Sequence, residues 1–178
     1  MERTGPTAQS GGRVLLEGLV AGVLGYAVVA LVFAVADLVS GRALFTTPAA
    51  IGGVLFYGVR DAASVVVSAG PVAAANGLHL LASLALGLAA ALVFMETERH
   101  PQLFYLAFVL VVIFFVFTLL VLAVPSIVAR AAPTAVVLLA NMAGGLAVVG
   151  YLWLVHPALR SAADELAGAD ESDAGVQP

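Results

Sequence analysis

From Val14 to Val39 the chain is apolar, and only Glu17 near the start and Asp37 near the end carry charge. A run of that length suits the helix of roughly 20 residues that a bilayer core requires. Three further apolar stretches follow, at 71–95, 101–124 and 133–155. The chain as a whole is 62% apolar and 10% charged, against about 25% charged residues in an ordinary soluble domain. So few charges, many bunched near the ends, do not coat a soluble exterior, and the bilayer is the better solvent. In lipid every backbone N–H and C=O must be bonded within the protein, so these stretches are read as helices. The expected fold class is therefore all-α: a polytopic membrane protein with four transmembrane helices and a short interfacial or re-entrant segment between the first two.

Prolines mark the boundaries. Proline suits the first turn of a helix, where its missing N–H would be unpaired in any case, and Pro71, Pro101 and Pro133 are assigned there. Pro125 and Pro157 are placed just past helix ends, where they block continuation. Glu96 to His100 reads as a polar turn between the second and third stretches. The run 49–59 is apolar but too short to span, and is read as a connector capping the bundle or as a lid. The resulting division is a disordered N-terminus at 1–13, a four-helix transmembrane domain at 14–160, and an acidic disordered tail at 161–178 with Asp164, Glu165, Asp170, Glu171 and Asp173. Arg3 and Arg13 ahead of an apolar run, with Ala34-Val35-Ala36 beyond, also resemble a secretory signal. The run before that site exceeds the 7–15 residues of a signal core, which favours an anchor.

All seven basic residues are arginines, and there are no cysteines. Disulfides and thiolate chemistry are thereby excluded. The net charge of −4 gives no basic surface for nucleic acid. With the termini inside, Arg3, Arg13, Arg99 and Arg160 fall on the inner side and Arg42, Arg60 and Arg130 on the outer. That bias points to cytoplasmic termini under the positive-inside rule. The Ala, Val, Leu and Gly bias suits a bacterial inner-membrane protein from a GC-rich genome.

Small residues at four-residue spacing let helices approach closely. Gly18 with Gly22, Ser83 with Gly87, and Ala140 with Gly144 have that spacing, whereas the third stretch is bulky, with Phe104, Phe108, Phe114, Phe115 and Phe117. Polar groups inside spans are costly and need a partner or a role. The candidate ligand-binding set is His79, Asn76, Asn141, Thr118 and Asp37, with Tyr26 and Ser83 beside them. At about 1.5 Å of rise per residue, His79, Asn141 and Thr118 lie at similar depths on the side bearing Arg42 and Arg60. His79 and Asn141 are expected to bond directly or through one water. His100 and His156 are assigned to the opposite interface, among headgroups. No catalytic residue, metal site or cofactor is assigned, since no hydrolase elbow, phosphate loop or paired-carboxylate motif is present.

Asp37-Leu38-Val39-Ser40-Gly41-Arg42, then Phe45-Thr46-Thr47-Pro48, and the Tyr151-to-Pro157 ending resemble uncharacterised four-helix bacterial integral membrane proteins. That resemblance implies the four-helix architecture and no activity. The leading functional expectation is a non-enzymatic accessory or assembly subunit. Its partners would be the lipid bilayer and another membrane protein or a second copy of itself. The alternative is a small-ligand or quinone-binding module built on the polar layer.

Overall fold

The computed structural model of the protein describes residues 6–61, 64–100 and 132–161. Every regular element among them is helical: α1 (Pro6–Val39), α2 (Thr46–Phe56), α3 (Ala69–Arg99) and α4 (Thr134–Val155). A further helical turn follows at 157–161. Helices α1, α3 and α4 are long and apolar enough to cross a membrane. The predicted stretch at 101–124, Thr118 within it, and the tail beyond Ser161 lie outside the described residues.

The helices reach past the apolar stretches. Helix α1 starts at Pro6, inside the segment read as disordered, with proline at the first helical position, which suits it. Helix α3 runs on to Arg99, so Glu96 to Glu98 form its last turn and not a connecting turn. It stops before Pro101, whose ring disfavours helical geometry at the preceding residue, and His100 is extended at φ −133°. Helix α1 ends in a Schellman cap. Gly41 is left-handed at φ 68°, its N–H donates to Leu38 O at 3.0 Å, and Arg42 N–H donates to Asp37 O at 2.8 Å.

Helix α1 is the shared packing partner. Glycines bring α3 onto it nearly backbone to backbone. A Cβ added at Gly18 would sit 2.7 Å from Leu88 Cα, and one at Gly22 2.7 Å from Leu84 Cα. On α4, a Cβ at Gly144 would sit 2.7 Å from Val29 Cγ2, and one at Gly25 2.8 Å from Val148 Cγ2. These pairings make α1 antiparallel to both α3 and α4, so α3 and α4 run parallel. Val14, Ala21, Ala91 and Leu152 are buried where the three meet, with Phe94, Met95 and Tyr151 packed against them. On the outer faces Leu16, Leu81, Leu146 and Leu154 are 65%, 67%, 70% and 66% exposed, a surface suited to acyl chains.

Helix α2 has 11 residues and is about 16 Å long, too short to cross a bilayer. It packs against the start of α3, with Gly52 against the Pro71 carbonyl.

The glycine seam gives a test. Gly87→Ile drives a branched side chain into Gly18 and Gly22 and should cost about 1–3 kcal/mol in detergent or SDS unfolding. Gly145→Ala meets nothing within 4 Å and should leave stability unchanged or raised.

Candidate functional site

Three polar groupings are built from the ends and middle of these helices. The first joins α1 to α3. Tyr26 Oη donates to Asn76 Oδ1 at 3.1 Å, and Asn76 Nδ2 donates back to Val72 O at 2.8 Å. One turn further on, the His79 ring lies 5.5 Å from the Tyr26 ring, centroid to centroid, at 40°. His79 Nε2 is buried and has no hydrogen-bond partner among the described residues. Asn76 and His79 are thus brought together, as their three-residue spacing on one helix face requires, and Tyr26 joins them. Asn141 is not bonded to them. Its amide donates to Val137 O of its own helix at 2.8 Å, and no hydrogen bond joins it to His79 among the described residues. The direct bond expected from matched depth is therefore absent. Depth does not set rotation, and it is α1 that faces His79.

The second grouping is at the far end of α1. Asp37 is fully buried. Its carboxylate accepts from Thr47 N–H at 2.9 Å and from Thr47 Oγ1 at 2.6 Å, and Arg42 Nη2 is 2.9 Å away. Thr47 is in the first turn of α2, whose N–H groups lack partners within the helix. The residue before α2, Phe45, is left-handed at φ 69° and makes no side-chain cap. Asp37 therefore caps α2 from ten positions upstream, favoured also by the positive end of the α2 dipole. Among the sequence-predicted site residues it has the clearest structural occupation.

The third grouping is at the other end, where sequence reasoning placed little. His156 was assigned to the headgroups, but it is fully buried. Its Nε2 is 3.1 Å from Glu17 Oε2 of α1, and its Nδ1 is 2.9 Å from Glu98 Oε1 of α3. The second contact lacks hydrogen-bond alignment and acts as a close electrostatic one. Arg13 completes the cluster, with Nε 2.7 Å from Glu17 Oε1, Nη1 3.8 Å from Glu98 Oε2 and Nη2 donating to Val155 O at 3.2 Å. The Phe94 ring, 5.6 Å from the imidazole, is one wall. His100, by contrast, is half exposed and 3.8 Å from Glu96. A signal for this cluster existed. Glu17 is an ionisable residue within a span, which calls for a named partner, and the topology places His156 at its level.

Glu17 and Glu98 face opposite nitrogens of the ring, so the three groups do not converge on a cation. No group of three or more metal-ligating side chains occurs among the described residues. A shallow hollow of about 420 Å³ lies between α1 and α3 beside Val14, Leu92 and Arg99, at the opposite end from His79. Compared with family models, curated proteins and solved structures, the chain matches none.

The Asp37 cap is testable. Asp37→Ala removes the acceptor of the Thr47 N–H and the carboxylate paired with Arg42. It should destabilise the protein by about 3–5 kcal/mol, the usual cost of breaking a buried charge pair. Hydrogen exchange at the Thr47 amide should accelerate with it, while amides in the α1–α3 seam keep their protection.

Proposed function

We propose that this chain is a four-span integral membrane protein of the bacterial inner membrane, with cytoplasmic termini, acting as a non-enzymatic accessory or assembly subunit. The observation that carries the fourth span is the parallel course of α3 and α4. Helix α3 ends where Glu98 meets His156, just past the end of α4. Helix α4 starts a full helix length away, and its 22 residues rise about 33 Å. That course supports a further span between α3 and α4 in the sequence. The apolar stretch at 101–124 is long enough to cross as a helix.

The accessory reading rests on how the intramembrane polar groups are used. Asp37, Tyr26, Asn76, Glu17 and His156 each bond another segment of the chain, and Asn141 bonds back within its own helix. The first five join separate elements, and the described surface left outward is apolar. Such a body presents helix faces to lipid or to other spans.

A second reading has one observation in its favour. His79 Nε2 is buried and without a hydrogen-bond partner among the described residues, so a small ligand with a polar edge, such as a quinone carbonyl, would satisfy it.

Single cysteines test the topology, because the chain has none of its own. Labels at residues 45 and 130 should react from one side of the membrane and a label at 100 from the other. Reaction of residues 100 and 130 from the same side would defeat the fourth span. The accessory role predicts co-migration with a larger membrane complex in mild detergent, and failure of that complex to assemble without this chain. A purified chain that migrates alone and carries a stoichiometric quinone, lost on His79→Leu, would favour the second reading instead.

A further inference from the structure

The joint between Glu17, His156 and Glu98 is short of hydrogens unless it holds an extra proton. An ionised carboxylate only accepts, and a neutral imidazole has one donor and one acceptor nitrogen. Here both nitrogens face carboxylate oxygens, at 3.1 Å and 2.9 Å. A neutral ring would turn a lone pair onto one of them. The charge balance points the same way. With a protonated ring the cluster has two cations, Arg13 and His156, against two anions, Glu17 and Glu98. Without that proton the cluster, counted among the described residues, has one cation against two anions.

We propose that His156 is a proton-operated latch: its bound proton locks the ends of α3 and α4 onto α1, and loss of that proton to bulk water releases the Glu98 end of α3. The partner released is fixed by the geometry. Glu17 keeps Arg13 at 2.7 Å on its own helix, so its charge stays neutralised and it can still accept from Nε2. Among the described residues Glu98 has only Arg13 at 3.8 Å besides His156, and repulsion from a bare Nδ1 weakens its hold there. Among the described residues, the charged groups paired with the ring or with its partners are Arg13 and Glu17 from α1 and Glu98 from α3. The nearby His100 and Glu96 pair with each other and not with it. Histidine suits this role because its charge changes nearest to neutral pH.

The full chain, reconstituted in nanodiscs of uncharged phosphatidylcholine, can be spin-labelled at Leu92→Cys on α3 and Leu154→Cys on α4, both outward-facing. The distance between labels should be short and narrow in acid buffer, and lengthen and broaden by several ångströms in alkaline buffer. Glu98→Gln is the discriminating variant. An amide can donate to a bare nitrogen or accept from a protonated one, so it should hold the short distance at every pH. His100→Gln should behave as the unmutated chain does. Nitrogen-15 spectra of the unmutated, unlabelled chain provide a readout that needs no variant to fold: both His156 ring nitrogens should bear hydrogen in the acid range and only one in the alkaline. A label distance that ignores pH, a pH response that survives Glu98→Gln, or a ring with a single N–H across the whole range would each overturn the latch.

Discussion

The close approach of backbones along α1 is the constraint from which the rest of the arrangement follows. Lipid tails are as apolar as leucine, so a membrane gives helices no hydrophobic reason to associate, and contact area has to come from fit. Gly18 and Gly22 provide it towards α3, and Gly25 towards α4. Once these glycines set the spacing, Tyr26 reaches Asn76 and the His79 ring, and Glu17 comes within 3.1 Å of the imidazole of His156. A side chain at Gly22 would push α3 outward and separate the Tyr26–Asn76 pair.

The two ends of α1 carry acids in contrasting settings. Asp37 accepts from a backbone N–H and a hydroxyl and has one arginine beside it, so its charge is met by fixed donors and by Arg42. Glu17 shares its charge with an arginine and a histidine, and that histidine also faces a second acid. One helix is thus fastened at one end by a single acid met by fixed donors and an arginine, and at the other by a cluster of two acids, an arginine and a histidine.

Much of the architecture was legible in the sequence, because span length and boundary prolines act through local physics. The apolar stretches at 14–39, 71–95 and 133–155 correspond to α1, α3 and α4, and the short run at 49–59 to α2. The small-residue pairs Gly18/Gly22 and Ser83/Gly87 do lie in the α1–α3 seam. What depth and spacing could not give was rotation about each helix axis and which small face meets which. Matched depth thus points His79 to a direct bond with Asn141, whereas the ring beside it is that of Tyr26. Glu98 and His156 were hidden for a different reason. Polar residues at the ends of apolar runs look like solvated boundaries, and only the extension of α3 to Arg99 carries Glu98 to the level where His156 is buried.

Charge is absent from the middle of the bundle and concentrated at its ends. Tyr26, Asn76 and Asn141 are neutral, whereas Arg13, Glu17, Glu98 and His156 stand at one end and Asp37 and Arg42 at the other. Ionisable groups cost least near the helix ends, where the headgroup region and water lie within reach. This division has a mechanical consequence. The Gly22–Leu84 and Gly18–Leu88 contacts hold α1 and α3 together in their middle portions through packing that no proton affects. Glu98 lies ten residues beyond Leu88, about 15 Å along the helix at 1.5 Å per residue. A change in the attraction at Glu98 therefore acts on the part of α3 beyond the glycine seam, where Ala91, Phe94 and Met95 also pack in the core beside Val14 and Leu152. The end of α3 can swing while the contacts around Tyr26, Asn76 and His79, on the other side of that seam, are left in place.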